Sequence, residues 1–113
     1  MIMTENGQCR EASPEECRRV IEEERGCRVL DVRTPAEFRE GHLENAVNID
    51  FYAPDFKERL EKLEKDRPYV VYCKKGARGA KAMEILRQAG FSRVYNVSGG
   101  YDNWASRSLP VQR

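Results

Sequence analysis

The apolar run Tyr69-Val70-Val71-Tyr72 passes without a break into Cys73-Lys74-Lys75-Gly76-Ala77-Arg78-Gly79, and a helical pattern follows over residues 80–89. Four apolar residues bounded by Arg67-Pro68 read as a buried strand. A strand that feeds directly into a helix leaves its last residue at the carboxyl edge of a sheet, where open α/β sheets bind their ligands. This junction commits the chain to an α/β arrangement and places Cys73 at a ligand-binding edge.

The same alternation runs through the rest of the chain. Ser13-Pro14-Glu15-Glu16 sets a capping hydroxyl before proline, with a carboxylate three residues on. It predicts a helix with Cys17, Val20 and Ile21 on one face, ended by Gly26. Residues 27–32 read as a strand, and Thr34-Pro35-Ala36-Glu37 as a second capping pattern for a short helix ending by Gly41. Residues 46–49 form a short strand, and 55–63 a helix with Phe56, Leu60 and Leu63 in register. Ala82, Ile85, Leu86 and Ala89 make the helical stripe before Gly90, and 93–97 is a final strand. Gly99-Gly100 turns into a last helix carrying Trp104, Leu109-Pro110-Val111 is a tail, and Gln8-Cys9-Arg10-Glu11 an additional edge strand. The expected fold is α/β, with a mainly parallel sheet and helices on both faces. With no repeat or linker, residues 1–113 read as one domain with its core at about 8–111.

Twenty basic against nineteen acidic residues leave a net charge of +1, which gives no electrostatic reason to expect nucleic-acid or membrane binding. The stretch Met1-Ile2-Met3-Thr4-Glu5-Asn6 lacks the basic and apolar regions of a signal peptide, and no apolar run is long enough to span a bilayer. The four cysteines contain no C-x-x-C pair and there is one histidine, so no metal site is expected. A reducing cytoplasm is the expected location.

Cys73 is the candidate nucleophile. Unpaired N–H groups and the partial positive charge at a helix N-terminus stabilise a thiolate or a bound anion, and Lys74, Lys75 and Arg78 add three cations nearby. Backbone N–H groups from Lys74 through Gly76 and Ala77 to Arg78 are expected to form an anion cradle, with Gly76 letting the chain curl. Arg78 is expected to hold a donor's oxygens with its fork rather than to pair with a carboxylate. The alternative for Lys74 and Lys75 is simple solvation. Asp31, and Arg33 paired to Glu37, are expected to brace the framework; His42 is expected to be a hydrogen-bonded structural histidine, and Trp104 core. Cys9, Cys17 and Cys27 are expected to be inert, with a disulfide-forming partner for Cys73 as the alternative.

Cys73-Lys74-Lys75-Gly76-Ala77-Arg78 resembles the active-site loop of the rhodanese family. Leu30-Asp31-Val32-Arg33-Thr34-Pro35-Ala36-Glu37-Phe38, then Gly41-His42-Leu43 and Ala46-Val47-Asn48-Ile49, resemble the family's first signature, and Gly99-Gly100-Tyr101-Asp102-Asn103-Trp104 its C-terminal one. The resemblance implies a five-stranded sheet wrapped by helices, with the cysteine carrying sulfur as a persulfide and no metal or organic cofactor. It also implies a small anionic donor, thiosulfate for a basic loop and mercaptopyruvate more often for an uncharged one. The acceptor would be cyanide, a small thiol or a protein cysteine. Two departures stand out: Asn45 where glycine is common, tolerable because asparagine accepts left-handed backbone, and Gly79 where serine is frequent.

Two rival functions fit parts of the pattern. One is a cysteine phosphatase or arsenate reductase, which in related folds uses a Cys-x5-Arg loop; here only four residues separate Cys73 from Arg78. The other is a non-catalytic interaction or redox-sensing module, against which an intact cationic cysteine loop argues.

Overall fold

The computed structural model describes residues 8–113; the N-terminal stretch read above for a signal peptide lies outside them. In chain order the elements are β1 (Gln8–Ala12), α1 (Pro14–Glu23), β2 (Arg28–Asp31), α2 (Pro35–Glu40), β3 (His42–Leu43) and β4 (Val47–Asn48). Then come α3 (Phe56–Glu61), β5 (Tyr69–Tyr72), α4 (Ala77–Gln88), β6 (Arg93–Val97), α5 (Gly100–Ser106) and β7 (Val111–Gln112). Five strands form one sheet in the order β1-β6-β5-β2-β4, every neighbouring pair parallel.

Side-chain alternation along β5 divides the core. Tyr69 and Val71 face α3 and α4, packing with Phe56, Leu60, Ala82 and Leu86, and Cys73 continues that row at the strand's end. Val70 and Tyr72 face α1 and α5, packing with Cys17 and Trp104. Leu60 and Leu86 are fully buried, and burial of a leucine contributes about 1.5–3 kcal/mol. All four residues of β5 are buried because helices cover both faces of the sheet.

Both predicted helix starts form. Ser13 Oγ accepts from Glu16 N at 3.1 Å, although the Glu16 carboxylate pairs with Arg10 instead of closing a capping box. Thr34 and Glu37 make both halves of theirs, at 3.2 and 3.0 Å. Asn45 holds its turn at φ 65°, in the left-handed region.

The structure differs from expectation at several ends. The helix expected over 55–63 is confined to Phe56–Glu61, and the one expected over 80–89 begins at Ala77, next to the cysteine loop. The tail is not loose: β7 pairs antiparallel with β3, Leu43 opposite Val111, and Trp104 Nε1 donates to Pro110 O at 2.8 Å. No helix among the described residues is long and apolar enough to cross a membrane.

Candidate functional site

Cys73 leaves β5 at the carboxyl edge of the sheet and starts a loop that ends at Gly76, the residue capping α4. Gly76 has φ 126°, a conformation that L side chains rarely adopt, and its N–H donates to Cys73 Sγ at 3.0 Å. The first helical bond, Ala80 N to Gly76 O at 2.9 Å, starts α4 immediately beyond. With no acidic residue in its first turn, the positive end of α4 is left for an anion from outside. Cys73 is 1% exposed. It lines a shallow opening of about 160 Å³ with Lys74, Lys75, Ala77 and Arg78. A larger concavity of about 290 Å³ adjoins it across Lys74 and contains no thiol.

The back of the loop is held by α5. Tyr101 N donates to Cys73 O at 2.8 Å and Asp102 N to Lys74 O at 3.0 Å. In a trans peptide the C=O and N–H point in opposite directions. Fixing these two carbonyls on α5 therefore turns the N–H groups of Lys74 and Lys75 away from it. Gly100 permits the approach: a Cβ there would lie 2.5 Å from Cys73 O and from the Lys74 carbonyl carbon and oxygen.

All three loop cations meet carboxylates. Lys74 Nζ and Lys75 Nζ reach the two oxygens of Asp102 at 3.0 and 2.9 Å. Hydrogen bonds from Lys75 and then Lys74 hold Asp102 below its ordinary range. Arg78 forks onto Glu37 at 3.0 and 3.3 Å and lies 5.7 Å from the Tyr52 ring centre. That hydrogen bonding, with support from Thr34, draws the Glu37 carboxyl down to about 2. The stability this pairing adds is present above the unfolded value of about 4.3 and fades only as pH falls toward about 2. Three cations against two carboxylates leave one net positive charge around the thiol.

The expected Arg33–Glu37 pair is not formed. Glu37 caps α2 and faces the cysteine loop, whereas Arg33 folds back onto Asp31: Nη2 to Oδ2 is 2.7 Å and Nε lies 3.1 Å from both oxygens. The Arg33 backbone N–H also reaches Asp31 at 2.8 Å, and Nη2 reaches Gly41 O at 2.6 Å. Burial disfavours the Arg33 charge, but the bonds to Asp31 outweigh it and hold its pKa above the ordinary value. Tyr72 Oη donates to Asp31 Oδ2 at 2.7 Å and accepts from Leu43 N at 3.0 Å. Burial, then the Asp31 charge, pushes the Tyr72 hydroxyl above its ordinary range. Removing one member of a buried pair of this kind costs about 3–5 kcal/mol. Arg33 also lies 4.4 Å from the ring centre of Tyr101, the residue whose N–H holds Cys73 O. The buried pair thus braces the support of the loop.

His42 stacks on Phe38 at 3.8 Å, and its Nδ1 lies 2.9 Å from Phe38 O, a placement that serves the β3 turn. Cys9 and Cys27 lie at the far end of the sheet from Cys73. The register sets Cys9 opposite Val94 and Val94 opposite Tyr69, while Cys27 precedes Arg28, which also pairs with Tyr69. Four strand residues span about 13 Å, too far for a disulfide, which needs Cα atoms within about 7 Å. Cys17 packs on the opposite face of the sheet.

Three residues that position the loop carried no local sign of doing so. Asp102 meets lysines 27 and 28 positions away, Asn96 reaches Gly76 O from β6, and Gly100 underlies the loop. Gly99-Gly100 was visible as a turn, but its contact partner was not.

A family model described as Rhodanese-like domain matches residues 13–107. The chain is 37% identical over 83 residues to a protein named sulfurtransferase from Allochromatium vinosum, covering 74% of this chain and 76% of that one. It is 37% identical over 97 residues to thiosulfate sulfurtransferase 16, chloroplastic, of Arabidopsis thaliana, covering 77% and 81%. The crystal structure of a rhodanese-related protein from Thermoplasma volcanium superposes with a TM-score of 0.80 at 33% identity, covering 91% of this chain and 97% of that one. On the strength of the family match, these relatives and the shared fold, this chain belongs to the rhodanese-like domain family.

Proposed function

We propose that this chain is a sulfurtransferase that takes sulfane sulfur from thiosulfate and carries it as a persulfide on Cys73. The family and its sulfurtransferase relatives support the broad chemistry. The observation that carries the finer reading is the 3.0 Å bond from Gly76 N–H to Cys73 Sγ, in an opening lined by Lys74, Lys75 and Arg78.

The Cys73 thiolate attacks the outer sulfur of thiosulfate. A new S–S bond forms at Cys73 while the bond to the inner sulfur breaks, its electron pair leaving with sulfite. The backbone N–H groups at the start of α4 take up the negative charge of the resulting persulfide, as an oxyanion hole does. A thiol, cyanide or a protein cysteine then attacks the outer sulfur and releases the Cys73 thiolate, with no external oxidant or reductant. Phosphoryl or arsenate chemistry fits less well, because the loop is one residue short of a Cys-x5-Arg ring and Arg78 is engaged by Glu37.

The test is intact mass spectrometry of reduced protein after thiosulfate addition. A gain of about 32 Da, one sulfur atom, is the expected product of a covalent carrier. No gain with thiosulfate would remove it as the donor, and no gain with mercaptopyruvate or polysulfide either would sink the sulfur-carrier reading.

The charge balance gives a further expectation. Asp102→Asn frees both loop lysines for a dianion, so the KM for thiosulfate falls about three- to tenfold with kcat within about twofold. The gain shrinks as salt rises from about 50 to 300 mM, because exposed charges are screened over this range. An unchanged KM at low salt would mean that Lys74 and Lys75 do not face the donor.

A further inference from the structure

The structure assigns Asn96 as a positioning residue for the anion cradle, a role that rests on the proposed sulfur chemistry at Cys73. Asn96 sits on β6 opposite Val71 and Glu11 and is fully buried. It occupies the sheet face toward α4, two residues after Val94, where the alternating pattern calls for an apolar side chain. Its Nδ2 donates to Glu11 Oε2 at 3.0 Å and to Gly76 O at 3.2 Å. Two acceptors on one atom fix which end of the amide is nitrogen.

The other end, Oδ1, is buried and has no hydrogen-bond partner among the described residues. An unmade buried hydrogen bond costs free energy, which offsets part of what the two bonds from Nδ2 contribute to stability. The amide's use is at Gly76. The Gly76 carbonyl belongs to the same peptide as Ala77 N–H, and the two point in opposite directions. Asn96 adds a second donor to that carbonyl beside the helical bond from Ala80 N–H at 2.9 Å, and so helps keep Ala77 N–H turned out toward the opening that Ala77 and Cys73 both line. That N–H sits one peptide beyond the Gly76 N–H that already meets Cys73 Sγ.

Gly79 is the counterpart of this arrangement. A Cβ built on it would overlap Asn96 Oδ1, so the amide occupies the space that any other residue at 79 would claim. The two positions form one unit.

The test is Asn96→Leu, close in shape but unable to donate, with Gly79→Ala/Asn96→Ala as a second form in which the added methyl fills the place Oδ1 leaves. Two rates are read on each folded variant: persulfide formation from thiosulfate in a single turnover, and alkylation of Cys73 by iodoacetamide, which requires no sulfur chemistry. Persulfide formation is expected to slow about 10- to 100-fold while the thiosulfate KM moves less than about threefold, because the lost alignment acts on developing charge. Alkylation is expected to slow at least about fivefold as the thiolate loses support. Both rates within twofold of wild type in either folded variant would overturn the assignment. Should wild type form no persulfide, the proposed function fails, and the alkylation comparison still decides whether Asn96 supports the thiolate.

Discussion

Cys73→Ser takes up no sulfur from thiosulfate and loses sulfur transfer by at least about 1,000-fold, whereas a variant with Cys9→Ala, Cys17→Ala and Cys27→Ala together keeps both. The thiolate is the nucleophile at sulfur, and a serine hydroxyl in the same cradle stays protonated and attacks poorly. The other three thiols are unsuited on two counts. Burial pushes Cys17 up to about 12 and Cys27 up to about 11, and it raises Cys9 as well. None of them meets the N-terminus of α4, and Cys9 and Cys27 enter the sheet at its opposite edge. Intact mass and peptide mapping after thiosulfate treatment read the outcome directly. Sulfur found on Cys73→Ser would move the chemistry to another cysteine and break the link between the cradle and the reaction. Loss of the adduct in the folded triple variant would make one of the other thiols a participant.

The parts of this site that depend on neighbours along the chain are legible in the sequence. The junction from Tyr72 to Cys73, the caps at Ser13 and Thr34 and the left-handed turn at Asn45 follow from local chemistry, and all form, although at Ser13 only the hydroxyl half of the cap does. The partners of Arg33, Glu37 and Arg78 did not follow. Arg78 meets a carboxylate 41 positions away, and only the lateral order β5-β2 with α2 above it brings the two together. Arg33 and Glu37 lie only four positions apart in the chain. In a buried setting, however, Arg33 gains more from Asp31, which offers two oxygens to the side chain and one of them to the backbone as well. The early start of α4 is masked by the poor helix propensity of Gly79, a residue the fold requires there because a Cβ would overlap Asn96 Oδ1. The two-residue strands β3 and β7 are too short to show any periodicity.

Gly100→Ala is expected to be the most damaging single methyl at this site. The residue has φ +66°, and its added Cβ would lie 2.5 Å from Cys73 O and from the carbonyl carbon and oxygen of Lys74. Those contacts are backbone, so no side chain can swing aside. Left-handed strain of about 1–2 kcal/mol and overpacking of about 1–3 kcal/mol predict a loss of about 2–5 kcal/mol in urea unfolding. The methyl also pushes α5 away from the carbonyls it holds, and a displacement of about 1 Å at a reacting centre costs about 100-fold in rate. Gly90→Ala separates the two effects: it shares the positive φ, at +101°, but its Cβ would meet only the Lys65 side chain at 3.7 Å. That variant should lose about 1–2 kcal/mol from backbone strain and form the Cys73 persulfide at the wild-type rate. If folded Gly100→Ala also forms it at that rate, the contact between α5 and the loop is only structural. A rate loss confined to Gly100→Ala would instead tie the C-terminal helix to the chemistry, because only there does the new methyl touch the peptides that flank the nucleophile.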